Sequence, residues 1–302
     1  MRRAETRAKR RRERLQLAFM KKRFKVSTLM FVSLCLAAAT GLAADGGVIC
    51  VATFNIRCPA DKTPNSWAER KARVNAMVAR HGFELMGLQE ATAGQIKDML
   101  TPGWAYVGGG RDDGKERGEF SCIFYRTERF EVAESGTFWL SESPEVAGSK
   151  SWETACPRVC TWARLKDRAT GKKFCHFNTH LDHMSAAARE NGMVLIIKRL
   201  AKELDKGIPV ILTGDMNATP GSAPVSKALE SLRDAAAVSQ TPHQGPAATF
   251  NGFKLERTPT ARIDYILVSH GVRVLSHATL DDKDNGLYPS DHFPVTAVLE
   301  LP

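Results

Sequence analysis

Side chains of the kind that bind metal or phosphate recur along this chain in short groups: Phe54-Asn55, Gln89-Glu90, Asn178-Thr179-His180, Gly214-Asp215-Met216-Asn217, Ile263-Asp264 and Ser290-Asp291-His292. Each group closes an apolar run. A single Asp or His in such a place is ordinarily a turn or cap residue. A whole series of them, each at the end of a buried strand, points to one site at a common sheet edge. Carboxylate and amide oxygens are hard donors that suit Mg²⁺ or Mn²⁺, and imidazoles donate hydrogen bonds to anionic oxygens.

The elements that must carry these groups alternate. Val48 to Asn55 is a β-branched run of strand type, and Ser66-Trp67-Ala68-Glu69 opens a helix by a capping pattern. Val74, Met77, Val78 and His81 repeat at helical spacing, and Gly82 ends the stripe. Strands are expected at 85–89, 122–125, 159–165, 174–178, 210–213, 263–268 and 295–299. A long helix over 187–204 is expected to bury Val194, Ile197, Leu200 and Leu204. Mixed strands with covering helices predict an α+β layered fold. No repeat or linker divides residues 45–302, which read as one domain.

The ordered motifs Gly87-Leu88-Gln89-Glu90, Gly214-Asp215-Met216-Asn217 and Pro289-Ser290-Asp291-His292-Phe293-Pro294-Val295 resemble those of the endonuclease/exonuclease/phosphatase superfamily. That superfamily includes deoxyribonuclease I, abasic-site endonucleases, deadenylases, sphingomyelinases and inositol polyphosphate phosphatases. The resemblance spans residues 48–301. It implies a four-layer α/β/β/α sandwich of two mixed sheets with helices outside, and an active site at one end of the sheets. The chain departs from abasic-site endonucleases in having Arg57 two residues after Asn55 and His180 near their tyrosine position. It lacks the membrane-docking hairpin of sphingomyelinases, and Ala218-Thr219-Pro220 lacks the basic residue of inositol phosphatases. The deoxyribonuclease and deadenylase branches are therefore nearest.

Phosphoester hydrolysis needs neutralised phosphoryl charge, an activated water and a stabilised leaving oxygen. Glu90, with Asn55 beside it and Asp291 as a further carboxylate, is the expected metal set. Asp215 is the expected general base, and Asn217 shares its face if the strand continues. His180 and His292 are expected to flank the phosphate. The resemblance pairs His292 with Asp264 and His180 with Glu119, which would make His180 cationic. Arg111, in a charged glycine-containing loop, is a candidate phosphate contact. The expected activity is divalent-metal-dependent phosphoester hydrolysis by direct attack of water, a phosphodiesterase on nucleic acid or nucleotide by resemblance. Sugar-phosphate or lipid-headgroup substrates, and an exported scaffold without catalysis, are the alternatives. A zinc site from His176, Asn178, His180 and His183 explains fewer residues. Trp67, Trp139 and Trp152 read as buried body.

Composition is ordinary for a globular chain, 43% hydrophobic and 25% charged over 302 residues, which excludes disorder, collagen and coiled coil. Residues 1–25 carry twelve basic side chains against two acidic ones, which is the whole net charge of +10; the remaining 31 basic and 31 acidic residues cancel. The high pI thus describes a leader. Lys21 to Lys25, the uncharged stretch 26–44 and the small residues Leu42-Ala43-Ala44 have a secretory layout, with cleavage expected near Ala44 and Met20 an alternative start. Residues 1–44 are read as a basic extension plus signal peptide, and the protein as an exported monomer without stable membrane association. A permanent anchor is the competing reading, and Leu34 argues against lipid attachment at Cys35. Six cysteines follow the leader, and Cys156 with Cys160 is the first pair to test as a disulfide.

Overall fold

The computed structural model describes residues 47–256 and 260–302; the leader lies outside them. In chain order the elements are β1 (Val48–Asn55), α1 (Trp67–His81), β2 (Leu85–Gln89), α2 (Ala93–Met99), β3 (Trp104–Val107), β4 (Ile123–Arg126), β5 (Phe130–Trp139) and β6 (Val159–Asp167). There follow β7 (Lys173–His180), α3 (Ala186–Leu204), β8 (Val210–Asp215), α4 (Ala223–Leu229), β9 (Arg233–Asp234), α5 (Ala235–Val238), β10 (Asp264–Val268), β11 (Arg273–Thr279) and β12 (Val295–Glu300).

β1 and β2 run parallel with Asn55 opposite Gln89, and β7 and β8 run parallel with His180 opposite Asp215. Parallel neighbours finish at the same edge and need a crossover, which the helices α1 and α3 supply. Each crossover thus delivers two polar strand ends side by side. The two six-stranded sheets have the orders β11-β12-β1-β2-β4-β3 and β5-β6-β7-β8-β10-β9. They pack face to face through Ile49, Val51, Leu85 and Ile123 from one and Ala163, Phe174, Ile211 and Ile266 from the other. The outer face of the second sheet meets α3 and α4 through Phe177, Leu212, Met193, Ile196 and Val225. The result is the expected pair of mixed sheets flanked by helices. Among the described residues, no helix is long and apolar enough to cross a membrane.

A polar tie crosses between the sheets beneath the site. Gln89 Nε2 donates to Asn178 Oδ1 at 2.7 Å, and Asn178 Nδ2 donates to the carbonyls of Leu88 and Cys122, each at 2.9 Å. Thr213 Oγ1 donates to the same Asn178 oxygen at 2.9 Å. A Cβ at residue 87 would lie 2.2 Å from Thr213 Oγ1 and 2.3 Å from Asn178 Oδ1, so the close approach requires Gly87. Asn178 is therefore a buried structural amide. His176 lies on the same inter-sheet face, bonded to Thr213 Oγ1 at 2.8 Å, and burial pushes its imidazole down to about 3. Its Nε2 is engaged by Thr213, whereas His183 Nδ1 meets Arg158 at the cleft.

Three expectations need correction. The α3 stripe is rotated: Met193, Ile196 and Leu200 are buried, whereas Val194 is 43% exposed. Cys156 and Cys160, the first pair to test as a disulfide, are not bonded. Both are free, because Cys160 faces the apolar core on β6 while Cys156 lies before that strand at the cleft described below. Finally, β3, β5, β9 and β11, which sequence patterning did not give, complete the sheets.

Candidate active site

At the strand ends the chain turns sharply. Arg57, Glu90 and Asn217 all adopt left-handed backbone conformations, with φ of 58°, 58° and 45°. For a residue with a Cβ this costs roughly 1–2 kcal/mol, and hydrogen bonds made by the turns offset it. Glu90 Oε2 accepts from the Cys58 amide at 3.0 Å and Glu90 Oε1 accepts from Asn55 Nδ2 at 3.0 Å. The Asn217 amide donates to Asp215 Oδ1 at 2.9 Å. Asn217 thus reaches the site through a side-chain-closed turn, because β8 stops at Asp215 and strand alternation no longer applies.

These turns open into a cleft of about 600 Å³ lined by Glu90, Asp291, Asp215, Asn217, His180 and His292, with Arg57, Arg111, Glu119 and Arg158 among the residues around them. Asn55 and Asp264 stand directly behind it. All the residues expected from sequence converge at this one place.

Asn55 is fully buried and its Nδ2 donates to both Glu90 and Asp215, each at 3.0 Å, while its Oδ1 accepts from the Arg57 amide at 3.0 Å. Two carboxylates on one nitrogen fix the amide's orientation. Asn55 thus bridges the two carboxylates through its nitrogen, and Glu90 and Asp291 are the carboxylates of the expected metal set. The Arg57 guanidinium lies 3.6 Å from Glu90 and 3.8 Å from Asp291. Burial raises the Asp291 carboxyl, and the charge of Glu90 adds to the rise. A half-buried and a buried carboxylate facing the same guanidinium, both hard-oxygen donors, are chemically suited to a divalent cation.

Asp215 is buried and its carboxyl is raised to about 7, by burial first and by the neighbouring Asp264 charge second. His292 Nδ1 meets Asp264 Oδ2 at 2.9 Å, and its Nε2 lies 3.7 Å from Asp215 Oδ2. Burial opposes its protonation, but Asp264 and Asp215 outweigh burial and raise it to about 10. His292 is a cation held between two carboxylates.

His180 differs from expectation. Its Nε2 accepts from Asn217 Nδ2 at 3.0 Å, and burial together with the charges of Arg158 and His292 drives it well below the ordinary histidine value. Glu119, expected to pair with it, instead binds Arg111 Nη1 at 2.5 Å. Burial thus favours the uncharged form of His180, whose Nε2 also lies 3.5 Å from Asp215 Oδ2, and the Glu119 carboxylate orients Arg111 at the cleft wall.

Two arginines, Arg158 on the cleft lining and Arg70 outside it, carried no signal in sequence. Arg158 is only 5% exposed along its side chain and sits 3.5 Å from Asp182 and 2.8 Å from His183 Nδ1. Arg70 is fully buried; its guanidinium donates to the carbonyls of Asn65 and Ile56 at 2.7 Å and of Pro289 and Arg57 at 3.0 Å. It ties the end of β1 to the loop that presents Asp291. An isolated Arg in a helix reads as solvated, so only the fold reveals this role.

The sequence model of the endonuclease/exonuclease/phosphatase family matches residues 52–292. This chain belongs to that family. It is accordingly a phosphoester hydrolase of a divalent-metal-dependent superfamily. An endonuclease/exonuclease/phosphatase family protein of Bacteroides thetaiotaomicron is 36% identical, with a TM-score of 0.79 over 84% of this chain and 98% of that one. A mannosyl-6-phosphatase of the same organism is also 36% identical, with a TM-score of 0.77 over 83% of this chain and 99% of that one. Nocturnin of Drosophila melanogaster is 27% identical over 179 residues, which are 55% of this chain and 26% of the fly protein. The match thus spans about a quarter of that curated relative.

Proposed function

We propose that this protein is an exported phosphatase of sugar phosphates, dependent on Mg²⁺ or Mn²⁺ and using water directly. The observation that carries this reading is the cleft: about 600 Å³, with Arg57, Arg111 and Arg158 around a floor of Asp215, Asn217 and His292. Cations gathered over so small a volume suit a compact dianionic phosphate on a polar molecule. Beyond the leader the charges cancel, so no general attraction for a polyanion is added. Near-full-length similarity to a mannosyl-6-phosphatase supports the same class. The leader composition supports export.

In this reading Glu90 and Asp291 hold the cation, which when bound supplies charge neutralisation at the phosphoryl and leaving oxygens. Asp215 takes the proton of the attacking water, which its raised carboxyl suits near neutral pH. Asn217 positions that water or the phosphoryl group, its amide oriented by His180. His292, kept cationic by Asp264, donates to a phosphoryl oxygen that gains charge. Arg111 and Arg158 bind the remaining oxygens.

The test compares phosphate release from hexose 6-phosphates with cleavage of a bis-aryl phosphodiester, DNA and RNA, each with Mg²⁺ and with chelator. Hexose 6-phosphate turnover that is lost on chelation and in Asp215→Ala supports the proposal. Turnover surviving both, or a preference for nucleic acid, the class that motif resemblance alone implies, defeats it.

A further inference from the structure

Arg57 reaches into the cleft from a backbone fixed on both sides. Its amide donates to Asn55 Oδ1 at 3.0 Å, and its carbonyl accepts from Arg70 Nη2 at 3.0 Å and from Gln95 Nε2 at 2.8 Å. From that anchor the guanidinium faces three carboxylates. Asp61 is bonded to it, with Arg57 Nε donating to Oδ2 at 2.9 Å and Nη2 donating to Oδ1 at 3.4 Å. Glu90 and Asp291 lie beyond bonding distance, at 3.6 and 3.8 Å. Three carboxylates against one guanidinium leave two negative charges uncompensated, the number that one divalent cation cancels.

Shielding from water favours the opposite arrangement. The Glu90 and Asp291 side chains are 13% and 10% exposed against 26% for Asp61, and opposite charges attract more strongly where less solvent intervenes. Asp291 is also lightly engaged, its carboxylate taking one hydrogen bond, from Ser290 Oγ at 3.3 Å. A charge-assisted hydrogen bond closes to about 2.7–2.9 Å, so a shift of about 1 Å would carry the guanidinium onto Glu90 or Asp291. The two-nitrogen grip of Asp61 is what holds it to one side.

We infer that Asp61 is a positioning residue for the metal: it latches Arg57 aside, and without it the guanidinium would take up the two carboxylates that hold the cation. Arg57 is then an internal rival of the cation, and the Arg57–Asp61 pair sets how tightly the site binds Mg²⁺ or Mn²⁺. The inference rests on Glu90 and Asp291 as the cation's carboxylates and adds to them a competitor and its restraint. The alternative role for Asp61, one more negative charge near the cation, would strengthen binding whether or not Arg57 is present.

The experiment titrates Mn²⁺ alone, without substrate, into wild type, Asp61→Asn, Arg57→Gln and the double variant, counting free ion by its electron paramagnetic resonance signal. Asp61→Asn is expected to weaken Mn²⁺ binding by about tenfold, the scale for loss of a group that supports a metal site. Arg57→Gln is expected to tighten it by about two- to fivefold, the worth of a partly exposed ion pair. Adding Asp61→Asn to Arg57→Gln should then change affinity by less than about twofold, because the side chain that Asp61 restrains is gone. Asp61→Glu, which can keep the grip, should stay near wild type. An equal loss from Asp61→Asn in the two backgrounds, or no loss in either, overturns the latch. So does unchanged or weaker binding in Arg57→Gln, which decides alone if Asp61→Asn is poorly folded. Full binding in Glu90→Gln would instead refute the assignment of the cation's carboxylates, and the latch with it.

Discussion

Asn55 Nδ2 donates to Asp215 Oδ2 at 3.0 Å, joining the end of β1 in one sheet to the end of β8 in the other. The same nitrogen bonds Glu90 at 3.0 Å, so a single amide links the candidate base to the candidate metal carboxylate. Asn55→Ala leaves two buried carboxylate oxygens without that donor. It is expected to cost about 1–3 kcal/mol of stability and about a hundredfold in kcat, within the range for a misplaced general base. Asn55→Asp should do worse, because it adds a third negative charge. Thermal melting and steady-state kinetics of both variants check this; wild-type kcat in Asn55→Ala would remove the bridge from the mechanism.

Two raised pKa values set the expected pH dependence. Asp215 must be ionised to accept a proton, so kcat/KM should rise as pH passes about 7. His292 must be protonated to donate, so activity should fall as pH passes about 10. The Asp264 charge raises both groups. Its removal in Asp264→Asn is therefore expected to move both limbs to lower pH, the alkaline one most, since Asp264 touches His292 directly. A pH–rate profile in which Asp264→Asn leaves both limbs unmoved would separate these groups from the rate.

Cation binding has a readout independent of turnover. A ligand that binds only the native state stabilises it by RT ln(1 + [L]/Kd), about 2.7 kcal/mol at a hundredfold excess over Kd. Mg²⁺ is expected to raise the melting temperature of wild type. In Glu90→Gln and Asp291→Asn that shift should shrink and the Mg²⁺ midpoint of activity should rise at least about tenfold, the scale seen when metal-supporting groups are removed. A full shift in Glu90→Gln would place the ion elsewhere, for instance among Asp215, Asp264 and His292, whose ligand atoms lie within 4.8 Å of one another.

Strand ends were legible because buried parallel strands are continuous apolar runs, so the first polar residue marks the edge where a site must open. Asn55, Glu90 and Asp215 follow such runs, whereas Asp264 and His292 stand at or before the starts of the antiparallel strands β10 and β12, which reach the same edge from the opposite direction. Edge strands do not carry that signal: β5 exposes Glu131, Glu134 and Ser135, and β11 exposes Arg273, so neither reads as an apolar run. The register of α3 was misjudged because Met193, Val194, Ile196 and Ile197 supply two overlapping apolar stripes, and only packing against the second sheet selects one. The Glu119 partner was misassigned for a different reason. Arg111 and His180 are both reachable partners by sequence, and the choice between them is made by the hairpin-like loop that carries Arg111 and Glu119, whose backbones are bonded at 3.0 Å.

Away from the cleft, the buried His277 ring packs against His243 and is expected to make the fold acid-sensitive. His243 Nε2 donates to the Pro246 carbonyl at 3.0 Å, and its Nδ1 meets His277 Nδ1 at 2.8 Å. His277 Nε2 is buried and makes no hydrogen bond. Protonating Nε2 would bury an unpaired charge. Burial, with the nearby His243 and Arg262, accordingly holds His277 down at about 3, against 6.5 for a free histidine. Above pH 6.5 neither the native nor the unfolded chain binds this proton, and the group adds no pH dependence. As pH falls from about 6.5 toward 3 the unfolded chain takes it up and the native chain does not, so stability drops by up to about 1.4 kcal/mol per pH unit. Replacing His277 by Gln is expected to lower stability at pH 8, where the bond to His243 is weakened, yet to give a shallower loss between pH 7 and 5. Denaturant melts of both proteins across that range decide the matter: parallel slopes would mean that His277 is protonated in the native state.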